Sequence, residues 1–122
     1  MGNNSVVISD STVYAHAEST AGDSAIVSDG NISISNSTVD AKSCNAYGSP
    51  TIIAGNDLMG SNGDISISDN SMVTIYSDKG NAAYTMLGNI VIRDSEVKAD
   101  AYSVALVSTN DITKTSHTNT VC

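Results

Sequence analysis

The sequence predicts an all-β protein, a small right-handed parallel β-helix of about four three-stranded coils, on three observations. One phrase recurs along the chain: GNISISNSTV at 30–39, GDISISDNSMV at 63–73 and GNIVIRDSEV at 88–97. Inside each copy apolar and polar residues alternate with the period of a strand. Gly-Asx and Asx-Ser pairs recur at fixed places in it, where a chain that must turn the same way in every unit needs them.

The first strand of each unit is marked by an apolar pair with one residue between: Val6 and Ile8, Ile32 and Ile34, Ile65 and Ile67, Ile90 and Ile92, with an incomplete fifth copy from Ile112. The starts lie 26, 33, 25 and 22 residues apart, so the period is loose while the words are kept. Before the pair stand Asn31, Asp64, Asn89 and Asp111, with Gly30, Gly63 and Gly88 ahead of the first three. Two residues after it comes a second Asx, at Asp10, Asn36, Asp69 and Asp94, followed by Ser11, Ser37, Ser71 and Ser95. Both are read as corners, built from residues that tolerate left-handed backbone or bond their own backbone. The third copy carries one extra residue, Asn70, where a bulge can absorb it.

The second strand opens with Val13, Val39, Val73 and Val97, and alternation continues through Ala15 and Ala17, Ala41 and Ser43, Ile75 and Ser77, Ala99 and Ala101. A third apolar run closes each unit: AIV at 25–27, TIIA at 51–54, AYTML at 83–87 and VALV at 104–107. A unit of three short strands cannot bury its inward face alone, but stacked on its copies at about 4.8 Å it can. Wound in one direction this is a parallel β-helix, and the handedness of parallel crossovers makes it right-handed. An antiparallel sandwich also alternates, yet nothing in one requires Asx and Ser to return at the same place. The whole chain, 1–122, is therefore expected to be a single β-helix domain, possessing its own stack or cut from a longer one.

Composition narrows the partners. Thirteen acidic side chains against five basic ones give a net charge of −8, and there is no Trp or Phe. Nucleic acid and anionic membrane surfaces are repelled by that charge, and no apolar stretch approaches the roughly 18 residues that span a bilayer. The start, MGNNSVVI, has no basic and apolar leader pattern. Cys44 and Cys122 are too few for a disulfide framework and are expected to be idle thiols.

GNISISNSTVDAKS, GDISISDNSMVTIYS and GNIVIRDSEVKADA resemble the degenerate G-x-I-x-I-x-x-S/G-x-V-x-A repeats of bacterial surface β-helix proteins, the adhesin-like and carbohydrate-binding-like solenoids, from about Ser5 to Ile112. Members often carry Gly-Gly after the second Ile, where this chain has Asx-Ser. The resemblance implies the β-helix fold and an extracellular or cell-surface setting.

Candidate sites follow from the columns. The outward side of the second strand gathers Tyr14, Asp40, Thr74 and Lys98, then His16, Lys42, Tyr76 and Asp100. Flat aromatics flanked by hydrogen-bonding groups are how a shallow surface holds a sugar, so Tyr14, His16, Asp40, Lys42, Tyr76 and Lys98 are the expected contacts for a polysaccharide or glycan. The competing reading is charge balance between cross-strand neighbours on a solvated sheet. Asp10, Asn36, Asp69 and Asp94 would stack into a file of oxygens, which suits calcium as the one conceivable cofactor, or else caps turns. Catalysis is not expected: the lone Arg93 has no acidic partner in its column, and no Ser-His-Asp or Cys-His spacing stands out. A fragment of a polysaccharide-active enzyme would need two carboxylates at a set separation; Asp40 and Asp100 share a face, as many surface pairs would. The coil ends present unpaired strands and apolar side chains, so self-association through them is expected.

Overall fold

The computed structural model describes residues 5–19, 24–45, 49–55, 63–85, 88–101, 106–108 and 112–113. Strands follow one another in threes: β1 (Val6–Ser9), β2 (Thr12–Ser19) and β3 (Ile26–Ser28), then β4 (Ile32–Ser35), β5 (Thr38–Asn45) and β6 (Ile52–Ala54). The third coil holds β7 (Ile65–Ser68), β8 (Met72–Ser77) and β9 (Ala83–Thr85), the fourth β10 (Ile90–Ile92), β11 (Glu96–Ala101) and β12 (Leu106–Ser108), and β13 (Ile112–Thr113) begins a fifth. Each strand pairs in parallel with its counterpart in the next coil. Sheet A runs β1-β4-β7-β10-β13, sheet B β2-β5-β8-β11 and sheet C β3-β6-β9-β12. This is an all-β parallel solenoid of about four coils.

The register is the one the repeated words impose. Val6, Ile32, Ile65, Ile90 and Ile112 form one file of sheet A, and Ile8, Ile34, Ile67 and Ile92 the next. In sheet B, Val13, Val39, Val73 and Val97 stack, as do Ala15, Ala41, Ile75 and Ala99. From the second coil to the fourth these files are the core. Ile32, Ile34, Val39, Ile65, Ile67, Val73, Ile75, Ile90, Ile92 and Val97 are all essentially fully buried. Each such Ile or Val contributes about 1.5–3 kcal/mol by leaving water. In β3, β6 and β9, each three residues long, the end residues turn in and Val27, Ile53 and Tyr84 turn out.

The two corners differ in mechanism. At the corner between sheets A and B, Asp10, Asn36, Asp69 and Asp94 all have positive φ, between 45° and 59°, the left-handed conformation that Asn and Asp enter at least cost among side-chain-bearing residues. The extra Asn70 is left-handed as well (φ 59°), so the third coil turns through two such residues in succession. A serine ladder locks this corner. The Ser11 N–H donates to Ser37 Oγ (3.1 Å), the Ser37 N–H to Ser71 Oγ (3.2 Å) and the Ser71 N–H to Ser95 Oγ (3.1 Å). Each hydroxyl in turn donates to a carbonyl at the end of the preceding strand, Ser9, Ser35, Ser68 and Arg93 respectively.

At the corner leading into sheet A, Gly63 and Gly88 serve close approach instead. Gly30, Gly63 and Gly88 are buried and absent from the positive-φ residues. A Cβ at Gly63 would lie 2.5 Å from the Gly30 carbonyl oxygen, and one at Gly88 would lie 2.6 Å from the Gly63 carbonyl carbon. The left-handed tolerance expected at this corner is thus corrected, at Gly63 and Gly88, to a steric requirement. Beside them runs an Asx ladder, in which Asn31 Oδ1 accepts from the Asp64 N–H (2.9 Å) and Asp64 Oδ1 from the Asn89 N–H (2.7 Å).

The first coil differs from the rest. β1, β2 and β3 are edge strands of all three sheets, and Val6, Ile8, Val13, Ala15 and Ala25 are only partly buried where their counterparts one coil on are sealed.

Candidate functional site

Alternation within sheet B turns every second side chain outward, and the parallel register stacks these into files. Thr12, Thr38, Met72 and Glu96 form the first, Tyr14, Asp40, Thr74 and Lys98 the second, and His16, Lys42, Tyr76 and Asp100 the third. All six residues expected to contact a glycan therefore share one face, in two adjacent files. The first file lies outside the expected contacts, although alternation from Val13, Val39, Val73 and Val97 turns the preceding residue outward.

Contacts on this face run along the strands and, both directly and diagonally, between coils. His16 Nε2 lies 3.8 Å from Asp40 Oδ1, with both side chains nearly half exposed. The Tyr14 and His16 rings meet edge to face, with centroids 6.2 Å apart. Lys42 Nζ stands 5.8 Å from the centre of the Tyr76 ring, a cation–π contact. Lys98 Nζ reaches Glu96 Oε1 on its own strand at 3.6 Å. Asp40 and Lys98 are two coils apart, as are Lys42 and Asp100, so neither pair balances charge by direct contact. Exposed ion pairs of this kind are worth about 0–1 kcal/mol, so the fold does not depend on them. Tyr14 is 73 % exposed and leaves most of its ring to solvent.

The Asx file lies at the neighbouring corner. Asn36 Nδ2 donates to Asp10 Oδ1 at 2.6 Å, bringing two of the four expected ligands together. Asp69 and Asp94 occupy the equivalent left-handed positions of the third and fourth coils, and the insertion sets Asn70 next to Asp69. Among the described residues no group of three or more His, Cys, Asp or Glu has the spacing to hold a metal ion. Cys44 is half-buried on β5, and Cys122 lies outside the described residues. Among the described residues no helix is long and apolar enough to cross a membrane. In comparisons with family models, curated proteins and solved structures, nothing matches this chain.

Proposed function

We propose that this protein is a non-enzymatic binding module, extracellular or exposed on a cell surface as in the adhesin-like and carbohydrate-binding-like solenoids that its repeats resemble, and that its ligand is a polysaccharide or glycan held on the outer face of sheet B. One observation carries the reading: Tyr14, His16, Asp40, Lys42, Tyr76 and Lys98 fall in two adjacent files of one parallel sheet, whereas the outward positions of sheet A are mainly Ser and Val. A sheet fixes the backbone spacing of these groups at about 4.8 Å between coils, so a ligand need not order the chain that carries them. The Tyr14 ring offers an apolar face, while Asp40 accepts and Lys42 and Lys98 donate hydrogen bonds. An open face does not exclude water, which suits binding better than chemistry.

A glycan array followed by calorimetry tests this. Binding of at least one glycan, weakened tenfold or more in a Tyr14→Ala/Tyr76→Ala double variant, is the expected result; silence across the array refutes it. Activity on a polysaccharide that disappears with Asp40→Ala or Asp100→Ala would instead make the protein an enzyme.

A second reading, a structural repeat that assembles without a ligand, has its own support. The contacts His16–Asp40, Lys42–Tyr76 and Lys98–Glu96 are satisfied within the face. The first coil offers three edge strands at once, with Val7, Tyr14 and Val27 strongly exposed on them. Such a coil end is a template for a further coil, which a second copy can supply.

A further inference from the structure

Along the outside of the corner between sheets A and B lies a shallow cleft, largely open to solvent, of about 390 Å³, lined among others by Asp10, Thr12, Asn36, Thr38, Asn70 and Met72. The volume is at the lower end of the range for small-ligand sites. Its chemistry selects what can enter. The lining carries one carboxylate and no basic side chain, so an anion meets repulsion without a compensating cation. A hard divalent cation wants six to eight oxygens including several carboxylates, whereas here Asp10 stands alone and one of its oxygens is taken by Asn36. A purely apolar ligand would strip water from Thr12, Thr38, Asn36 and Asn70 without replacing it. What remains is a neutral molecule rich in hydroxyl groups.

The donors and acceptors match that class. The Asn36 Nδ2 to Asp10 Oδ1 bond leaves the second Asp10 oxygen and the Asn36 carbonyl oxygen as neighbouring acceptors, the pattern that receives two adjacent hydroxyls. Asn70 and the Thr12 and Thr38 hydroxyls are exposed and can both donate and accept. Met72, 54 % exposed, supplies a polarisable apolar wall for C–H groups. The insertion in the third coil contributes directly. It adds an amide, Asn70, to the lining beside Met72 of that coil while the Asn70 N–H still bonds the Asp94 carbonyl at 2.8 Å, so the cleft gains hydrogen-bonding capacity without a second charge.

We propose that this corner cleft is a subsite for a single neutral sugar unit, at the border of the sheet B platform. Resting on the carbohydrate reading above, it extends that reading to residues outside the platform. Thr12, Thr38 and Met72 form the outward file beside Tyr14, Asp40 and Thr74, so a chain lying across the platform runs into the cleft.

The test is an NMR titration of the isotope-labelled protein with neutral methyl glycosides of glucose, galactose, mannose and N-acetylglucosamine, with glucuronate and calcium chloride as charged probes. At least one neutral glycoside is expected to shift the Asp10, Asn36 and Asn70 backbone amides and the Met72 methyl, with glucuronate at least tenfold weaker. Asn70→Ala should weaken the response about tenfold, while Tyr14→Ala/Tyr76→Ala leaves it in place. Shifts confined to the Tyr14 and Tyr76 surroundings overturn the cleft proposal and leave the platform standing. Glucuronate binding as tightly as the neutral glycosides, or calcium alone shifting Asp10 and Asn36, also overturns it. No shift with any glycoside removes the cleft, and the array result then decides the platform separately.

Discussion

Substituting Ser95 by Ala tests what the serine ladder contributes. Ser95 is half-buried, but its hydroxyl is the acceptor for the N–H of Ser71, which is 1 % exposed. Removing Oγ strands that buried donor, at a cost of about 1–3 kcal/mol. The other lost bond, from Ser95 Oγ to the Arg93 carbonyl, costs little because Arg93 is exposed and water replaces it. Ser37→Ala is the contrasting case. Ser37 is itself buried, yet the N–H it leaves behind belongs to Ser11, which is exposed, and the Ser35 carbonyl keeps the Asp10 N–H as a donor at 3.2 Å. Its loss should be below about 1 kcal/mol, since water can take over. Ser71→Ala strands the buried Ser37 N–H and belongs with Ser95→Ala. Ser11→Ala, with no coil before it, should stay within about 0.5 kcal/mol. Urea denaturation followed by circular dichroism resolves the order. At a slope of about 2 kcal/mol per molar, a loss near 2 kcal/mol lowers the midpoint by about 1 M. If Ser37→Ala costs as much as Ser95→Ala, the burial of the hydroxyl itself sets the cost and the orphaned-donor argument is wrong.

Three further outcomes are expected. Gly88→Ala places a Cβ 2.6 Å from the Gly63 carbonyl carbon and 2.7 Å from Asp64 Oδ1, so two coils must separate; a loss of about 1–3 kcal/mol or more is expected in the same urea assay, and an unchanged midpoint would refute the close-approach account. Ile67→Ala, in the middle of the sheet A core, should cost about 2–5 kcal/mol, and a thermal melt showing less than 1 kcal/mol would mean the files are not packed as described. Light scattering over a range of concentrations should report masses above one chain, and Val7→Lys, a charge on the exposed edge strand β1, should return the protein to single-chain mass; a single-chain mass for the unsubstituted protein at every concentration rejects association through the first coil.

What could be read from the letters follows from which atoms must agree between coils. An inward side chain touches its counterpart at strand spacing, so Ile32, Ile65 and Ile90 have to be compatible in size, and that constraint writes itself into the sequence as a repeated word. The left-handed corner is equally legible, because few residues besides Asn and Asp accept its φ, and every coil must turn there. Glycine is ambiguous by contrast. The same residue serves positive φ and close approach, so Gly63 and Gly88 showed that something special happens without showing which. The outward face is freer still. Register alone placed Tyr14 beside Asp40 and His16 beside Lys42, but whether His16 leans to Asp40 or Lys98 to Glu96 depends on rotamers that no stacking rule restricts. The same freedom is what makes the outer face informative about function. Stacking explains the inward files completely and asks nothing of Tyr14, Lys42 or Tyr76 beyond solubility, which Ser and Thr supply elsewhere on these sheets. Two rings and their charged neighbours on one face of sheet B, and an added amide at the corner beside it, are features that the architecture itself does not require.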